Sequence, residues 1–239
     1  MKENLKLAIH EFTQKMNIEI HRAQANTGKL LAAQSVDLVL DVGANVGQFA
    51  RRIRREGYSN QIISFEPLTE AHQVLEDSSK KDENWQTFRR TAIGEYDGQT
   101  TINVAKNSYS SSLKTIAPSH LEFAPDSKTT HTENVSIATI DSLFNEISGS
   151  RKRIFLKIDT QGYEMEVLAG ASKSLSKIHG LQIELSLMTL YKDQSLYLKI
   201  LEFLNEAGFD VWGIQPGFKD NKTGRLLQFD AILFRQEKM

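Results

Sequence analysis

A glycine-rich turn and three carboxylates stand where a chain of alternating strands and helices can do chemistry. The run Asp41-Val42-Gly43-Ala44-Asn45-Val46-Gly47 follows a short apolar stretch and precedes a helical one. Glycines between a strand and a helix allow a sharp turn and let a ligand approach the backbone closely. The spacing is Gly-x-x-x-Gly, which is not the Gly-x-Gly-x-x-Gly that cradles a dinucleotide pyrophosphate. Asp41, leading into the glycines, suits the amino-acid end of a zwitterionic ligand with a positive sulfonium nearby. Gly43, Ala44, Asn45 and Gly47 are its expected neighbours. Glu66, just before Pro67, lies about 20 residues on, where a carboxylate accepts hydrogen bonds from both hydroxyls of a ribose. Thr91, Ala92 and Ile93 are expected to close the far side with backbone contacts and an apolar wall for a base.

Asp159 and Glu184 are expected at the ends of neighbouring strands, which lie about 4.8 Å apart in a sheet. Two acids facing one crevice can remove a proton, anchor a substrate or hold a Mg²⁺ or Ca²⁺ ion. No metal is assigned, since nothing in the sequence forces one. The plainer roles are a helix N-cap for Asp159 and a buried pair with Lys157 for Glu184; Glu164 reads equally well as an acid in the first turn of a helix. His131, and beside it His120, lie in a Ser/Thr-rich stretch at 106–133, read as an inserted loop; His131 is the candidate alternative base. As a solvent-exposed loop residue, either histidine would have no such role. Ser110, Ser111 and Ser112 in that loop, with Tyr191, Gln215 and Phe218, are the expected acceptor contacts. A second loop, at 213–226, is expected to share that task.

The elements that position these residues read from hydrophobic period and breakers. Strands are expected at 36–42, 61–65, 87–93, 100–105, 135–137, 153–158, 181–187, 209–214 and 226–234. Helices are expected at 48–55, 69–79 with Thr69 as N-cap, 140–147, 163–175 and 195–207. Spaced apolar residues over 3–33, with no breaker before Gly28, read as one or two helices covering the edge of a domain. Strands alternating with crossover helices imply a doubly wound, mostly parallel sheet. The last two strands have only a loop between them, so they must be antiparallel.

Composition narrows the function classes. The chain has 239 residues, 40% hydrophobic and 25% charged, with a net charge of -1. That balance argues against a general nucleic-acid binder, and the cluster Arg51-Arg52-Ile53-Arg54-Arg55 reads as a solvated helix face. The absence of cysteine excludes disulfides, thiolate metal sites and a Cys nucleophile. No apolar run approaches a membrane span, and the first 30 residues lack the apolar core of a signal peptide. A cytoplasmic protein with no integral membrane association is the expectation.

Taken together, DVGANVGQ at 41–48, FEP at 65–67, AIGEYDGQTT at 92–101, SSSL at 110–113, TIDSL at 139–143, LKIDTQGYEMEVLAGA at 156–171 and IELSLMTLY at 183–191 resemble the FkbM-type methyltransferases. The resemblance runs from about residue 35 to the C-terminus. It implies a Rossmann-like class I methyltransferase fold over 35–239, with a seven-stranded sheet ending in an antiparallel strand, and leaves 1–34 as an N-terminal helical segment. It implies S-adenosylmethionine as cofactor and O-methylation of a hydroxyl on a sugar, glycolipid or secondary metabolite. Two other readings compete. An NAD(P)-dependent reductase needs the dinucleotide glycines or a Tyr-x-x-x-Lys pair, and no tyrosine has a lysine four positions on. A non-catalytic small-molecule-binding domain would not need the full set of Gly loop, Glu66 and Asp159.

Overall fold

The computed structural model describes residues 26–236. Its frame is a seven-stranded sheet of order β3-β2-β1-β7-β8-β10-β9. In chain order the parallel strands are β1 (Leu38–Val42), β2 (Gln61–Phe65), β3 (Trp85–Thr87), β7 (Ile154–Ile158) and β8 (Ile178–Ser186). The last strand, β10 (Gln228–Arg235), runs antiparallel between β8 and the edge strand β9 (Phe209–Pro216). β1 is apolar but for Asp41 and buried at every position, as a strand covered on both faces must be.

Helices α1 (Thr27–Ala33), α2 (Gln48–Arg55) and α3 (Thr69–Ser79) cover one face, with Leu31, Phe49, Ile53 and Leu75 packed on Val39, Ile62 and Phe155. On the other face, Leu40, Leu156 and Ile183 meet α5 (Ile140–Ser148), α6 (Glu164–Ala169) and α7 (Tyr197–Glu206). Of the N-terminal segment, residues 1–25, with His10 and His21, lie outside the described residues. Gly28 does not break the chain: it sits inside α1, and its N–H donates to Glu56 Oε2 at 2.8 Å.

A three-stranded sheet, absent from the sequence reading, stands beside the carboxyl ends of β1 and β2. It comprises β4 (Thr91–Ile93), β6 (Thr129–Ala138) and β5 (Gly98–Ala105), with β6 central. Two expectations change as a result. The strand expected at 87–93 is two strands in two sheets. Phe88 makes the last bond to β2, its N–H donating to Ser64 O, and its ring settles on Phe65; beyond it the chain leaves to pair with β6. The loop expected at 106–133 ends at 128, because residues 129–134 pair with β5 and extend the strand expected at 135–137. Their polar composition reflects an exposed sheet face. The connection itself carries a short helix, α4 (Pro118–Phe123).

Two helix expectations also shift. Thr69 is the first residue of α3 and not its cap; the Glu133 carboxylate on β6 accepts from both Thr69 N and Oγ1. The helix expected over 163–175 closes at Ala169. Asp141 accepts from Lys173 N and Ser174 N, which would otherwise continue the helix, and its own N–H donates to Gly170 O. Gly170 lies so close to the Gly94 carbonyl that a Cβ there would stand 1.9 Å from its oxygen. Gly170→Ala must therefore push β4 from α6. Overpacking of this kind costs about 1–3 kcal/mol, and urea unfolding should show at least that loss; an unchanged midpoint would contradict the contact.

Candidate active site

β1 delivers Asp41, Val42 and Gly43 to the carboxyl end of the sheet. Gly43 has φ of +72°, and a Cβ there would stand 1.9 Å from the Asp159 carbonyl oxygen, so only glycine fits. Asn45 also has a left-handed backbone, with φ of +47°. Its N–H donates to Glu66 Oε2 at 2.7 Å, while Leu68 N donates to Oε1 at 2.9 Å. Glu66 is thereby held rigidly at the end of β2. Burial raises its pKa to about 7 despite those two bonds. Each oxygen keeps a further lone pair for a ligand hydroxyl.

Beneath the glycine turn lies a buried polar row. Ser64, Asp41, Lys157 and Gln182 occupy one register across β2, β1, β7 and β8. Trp85 Nε1 donates to Ser64 Oγ, and Ser64 Oγ to Asp41 Oδ2. The Lys157 ammonium stands 3.3 Å from Asp41 Oδ1 and 3.4 Å from Asp159 Oδ2, and donates to Gly43 O at 2.9 Å. Burial alone would lower the lysine pKa; the carboxylates of Asp159, Asp41 and Asp230 outweigh it and keep the group charged.

A cavity of about 220 Å³ opens over these strand ends. Its lining is apolar at Phe65, Leu68, Ala92, Ile93, Ile102 and Leu113 and acidic at Glu66, Asp159 and Glu184, with Glu66 at the end of β2 and the other two on the β7–β8 side. Ser108, Tyr109, Ser111 and Ser112 close the mouth, and Tyr109 is largely exposed at the rim. None of the described residues lining the cavity is a lysine or arginine.

Asp159 and Glu184 meet through Gln161. Its Nε2 donates to Asp159 Oδ1 and to Glu184 Oε2, both at 2.8 Å. Gln228 Nε2 also donates to Glu184 Oε2, at 2.7 Å. Burial, then the nearby charges of Asp159, Glu164 and Asp230, raises the Glu184 pKa well above the ordinary carboxylate range. Neither plain alternative applies: α6 has no side-chain cap, and the glutamines, not Lys157, bond Glu184. Glu164 braces the loop below, accepting from Thr160 N and Gly162 N, and burial raises its pKa to about 7.

Several expected contacts lie elsewhere. Of the cofactor set, Gly43, Asn45, Glu66, Pro67, Ala92, Ile93 and Asp159 line the cavity. Asp41 is fully buried on Lys157, Ala44 packs in the core, and Gly47 caps α2 beneath Trp85. Of the acceptor set, Ser111 and Ser112 line the cavity. Ser110 and Tyr191 are buried behind it, with the Tyr191 hydroxyl directed at Ser110 O and Gln161 Oε1. Gln215 is held by Arg52 and Thr27, and Phe218 packs on the His120 ring, so neither reaches the cavity. His131 is on the exposed face of β6, not in a lid; His120 is buried between Tyr191 and Phe218. Among the described residues, no group of three or more His, Asp or Glu is placed to hold a metal ion. The sequence reading missed Gln161 and the ties of Lys157 to Asp41 and Asp159. Only the adjacency of Gln161 to Asp159 and Gly162 hinted at the first.

Removing the Lys157 charge leaves Asp41 buried and uncompensated, a loss of about 3–5 kcal/mol by analogy with other broken buried pairs. Lys157→Met should lower the unfolding free energy by that amount, and the double variant Asp41→Asn, Lys157→Met should recover part of it. Strictly additive losses in urea titrations would mean the two groups do not interact.

The sequence model of the methyltransferase FkbM domain matches residues 41–211. A search of curated proteins finds no match. Among solved structures, TehB from Haemophilus influenzae aligns with a TM-score of 0.48 at 11% identity, over 95% of this chain and 66% of that one. An rRNA methylase from Streptococcus thermophilus aligns with a TM-score of 0.47 at 15% identity, over 92% and 99%. A SAM-dependent methyltransferase from Aquifex aeolicus gives 0.42 at 13%, over 87% and 88%. No helix among the described residues is long and apolar enough to cross a membrane.

Proposed function

Because the chain belongs to the FkbM methyltransferase family, with S-adenosylmethionine as its cofactor, we propose that it methylates a hydroxyl of a small, uncharged, polyhydroxylated acceptor. The observation that carries this reading is the acidic wall, where one amide bridges Asp159 and Glu184 beside the apolar wall. When bound, the cofactor supplies an electrophilic methyl group on a positively charged sulfur. A lining that is apolar around Ala92, Ile93 and Leu68 and acidic at Asp159 and Glu184 suits a ligand with a flat base at one end and cationic groups at the other. Glu66 takes the ribose hydroxyls, the backbone of Gly43 and Asn45 approaches the amino-acid portion, and Ala92 and Ile93 flank the base. Asp159 and Glu184 would orient the acceptor hydroxyl and accept its one proton, with the methyl carbon coming from the bound cofactor and the electron pair of the broken carbon–sulfur bond staying on its sulfur. A neutral alcohol is a poor nucleophile and needs such help. The elevated pKa of Glu184 makes it a stronger base than an exposed carboxylate.

The charge of the cavity supports an uncharged acceptor. A phosphorylated substrate or nucleic-acid backbone would meet carboxylates with no lysine or arginine among the described lining residues to offset them. Ser108 and Ser111 offer hydroxyls, and Tyr109 an aromatic rim, suited to a sugar-like ring. In this reading 213–226 has no direct part in acceptor choice, since Gln215 and Phe218 are engaged elsewhere.

Two outcomes test this reading. Glu66→Ala should weaken S-adenosylmethionine binding by about 1.5–3 kcal/mol, the range for a hydrogen bond to a charged group; equal affinities by calorimetry would remove the ribose assignment. Turnover should rise with pH through the elevated Glu184 pKa, because the base acts deprotonated. Glu184→Gln should lose that limb and about 10²–10⁴ in turnover, whereas a near wild-type rate with the same profile would exclude Glu184 as the base.

A further inference from the structure

We propose that Gln161, locked by Tyr191, is a positioning residue that holds Asp159 and Glu184 in one geometry for proton removal. The proposal rests on the reading of that pair as the proton acceptors. Gln161 is one of the few non-glycine residues with a left-handed backbone, at φ of +56°. This conformation is uncommon for a long side chain. Here it is over-determined from three sides. Ser112 Oγ donates to Gln161 O at 2.7 Å, from the turn at the cavity mouth. Gly162 follows with φ of +91°, and a Cβ there would stand 2.8 Å from Tyr191 Cβ and 2.9 Å from its ring. Glu164 accepts from the N–H groups of Thr160 and Gly162, on either side of Gln161.

The side chain is fixed as firmly as the backbone. An amide flips readily unless its two ends have different partners. The buried Tyr191 hydroxyl has one hydrogen and two acceptors, Gln161 Oε1 at 2.8 Å and Ser110 O at 3.1 Å, and the shorter contact is the one to the amide oxygen. The two amide hydrogens are then directed at Asp159 and Glu184, one each. Lys157 offsets the charge of Asp159 from below, but two carboxylates that share one amide donor still repel and, without it, would turn apart or share a proton. The bridge fixes the orientation of the two carboxylates and, as a hydrogen-bond donor to both, favours the charged form of Glu184 against the effect of burial. Lys157 anchors Asp159 from below and Gln228 anchors Glu184 from the side, so Gln161 is the element that joins them.

Gln161→Met keeps length and bulk and removes both amide ends. Tyr191→Phe keeps the amide and removes its lock. Each should bind S-adenosylmethionine as the wild type does and retain the wild-type melting curve to within a few degrees. Turnover should fall about 10–100-fold in Gln161→Met and less in Tyr191→Phe. The acidic limb of the pH–rate profile should move to higher pH, since hydrogen bonds to a carboxylate favour its charged form. The decisive comparison is a double-mutant cycle. If Gln161 acts through Glu184, Gln161→Met should cost little further in a Glu184→Gln background. Fully additive losses, or an unmoved pH limb with reduced turnover, would show a role independent of the pair and overturn the proposal. A wild-type rate in Gln161→Met would overturn it as well. If Glu184→Gln and Asp159→Asn both keep the wild-type rate, the catalytic reading fails and this proposal with it, while a failed cycle alone leaves the catalytic reading standing.

Discussion

Burying several carboxylates at the end of a sheet is expensive, because each loses its hydration and repels the others. The Lys157 ammonium is what makes the arrangement tenable here. It stands between Asp41 and Asp159 and donates to the carbonyl of the glycine turn. That one group therefore fixes the ends of β1 and β7 relative to each other and sets the backbone of Gly43 under the cavity. A buried pair of this kind is not a stability device in itself, since well-packed apolar residues often stabilise as much. Its value is geometric: it places charge where a ligand will meet it.

The rest of the cavity follows from that anchor. Ser64, Asp41, Lys157 and Gln182 form a polar row in one register across β2, β1, β7 and β8, and Trp85 on β3, outside that register, donates its indole N–H to Ser64. Glu66 is fixed separately, by the N–H groups of Asn45 and Leu68. The three-stranded sheet supplies the apolar wall through Ala92, Ile93 and Ile102 and ties its central strand to α3 through Glu133. The cavity thus has acidic lining carried by the parallel sheet and apolar lining to which the accessory sheet contributes. The placement agrees with the general rule that ligands of open α/β sheets sit beyond the carboxyl ends of the strands.

Much of this was legible in the residues. The strands at 61–65 and the helices at 48–55 and 69–79 coincide with the expected spans because period and breakers are unambiguous there. The antiparallel ending followed from the short final connection alone. The accessory sheet was not legible, because a polar run such as 129–134 reads as loop until its partner strand is known. The early close of α6 depended on Asp141, 32 residues from Lys173 in the chain. Within the site, Gly43, Glu66, Asp159 and Glu184 stood out because strand ends collect ligand contacts. Asp41 stood out for the same reason, yet it serves Lys157, and no local pattern distinguishes a carboxylate facing a cavity from one beneath it. Gln161 lies within the family-like run at 156–171, yet nothing in that run marks it as a bridge; its place depends on Tyr191, 30 residues further along the chain.

The central claim is that the acidic wall and the apolar wall receive opposite ends of one cofactor. A crystal structure with S-adenosylhomocysteine tests it most directly. The account predicts the ribose hydroxyls on the Glu66 carboxylate, the base between Leu68 and Ile93, and the sulfur on the side of Asp159 and Glu184. A ribose that leaves Glu66 untouched, or a sulfur facing away from Glu184, would contradict it.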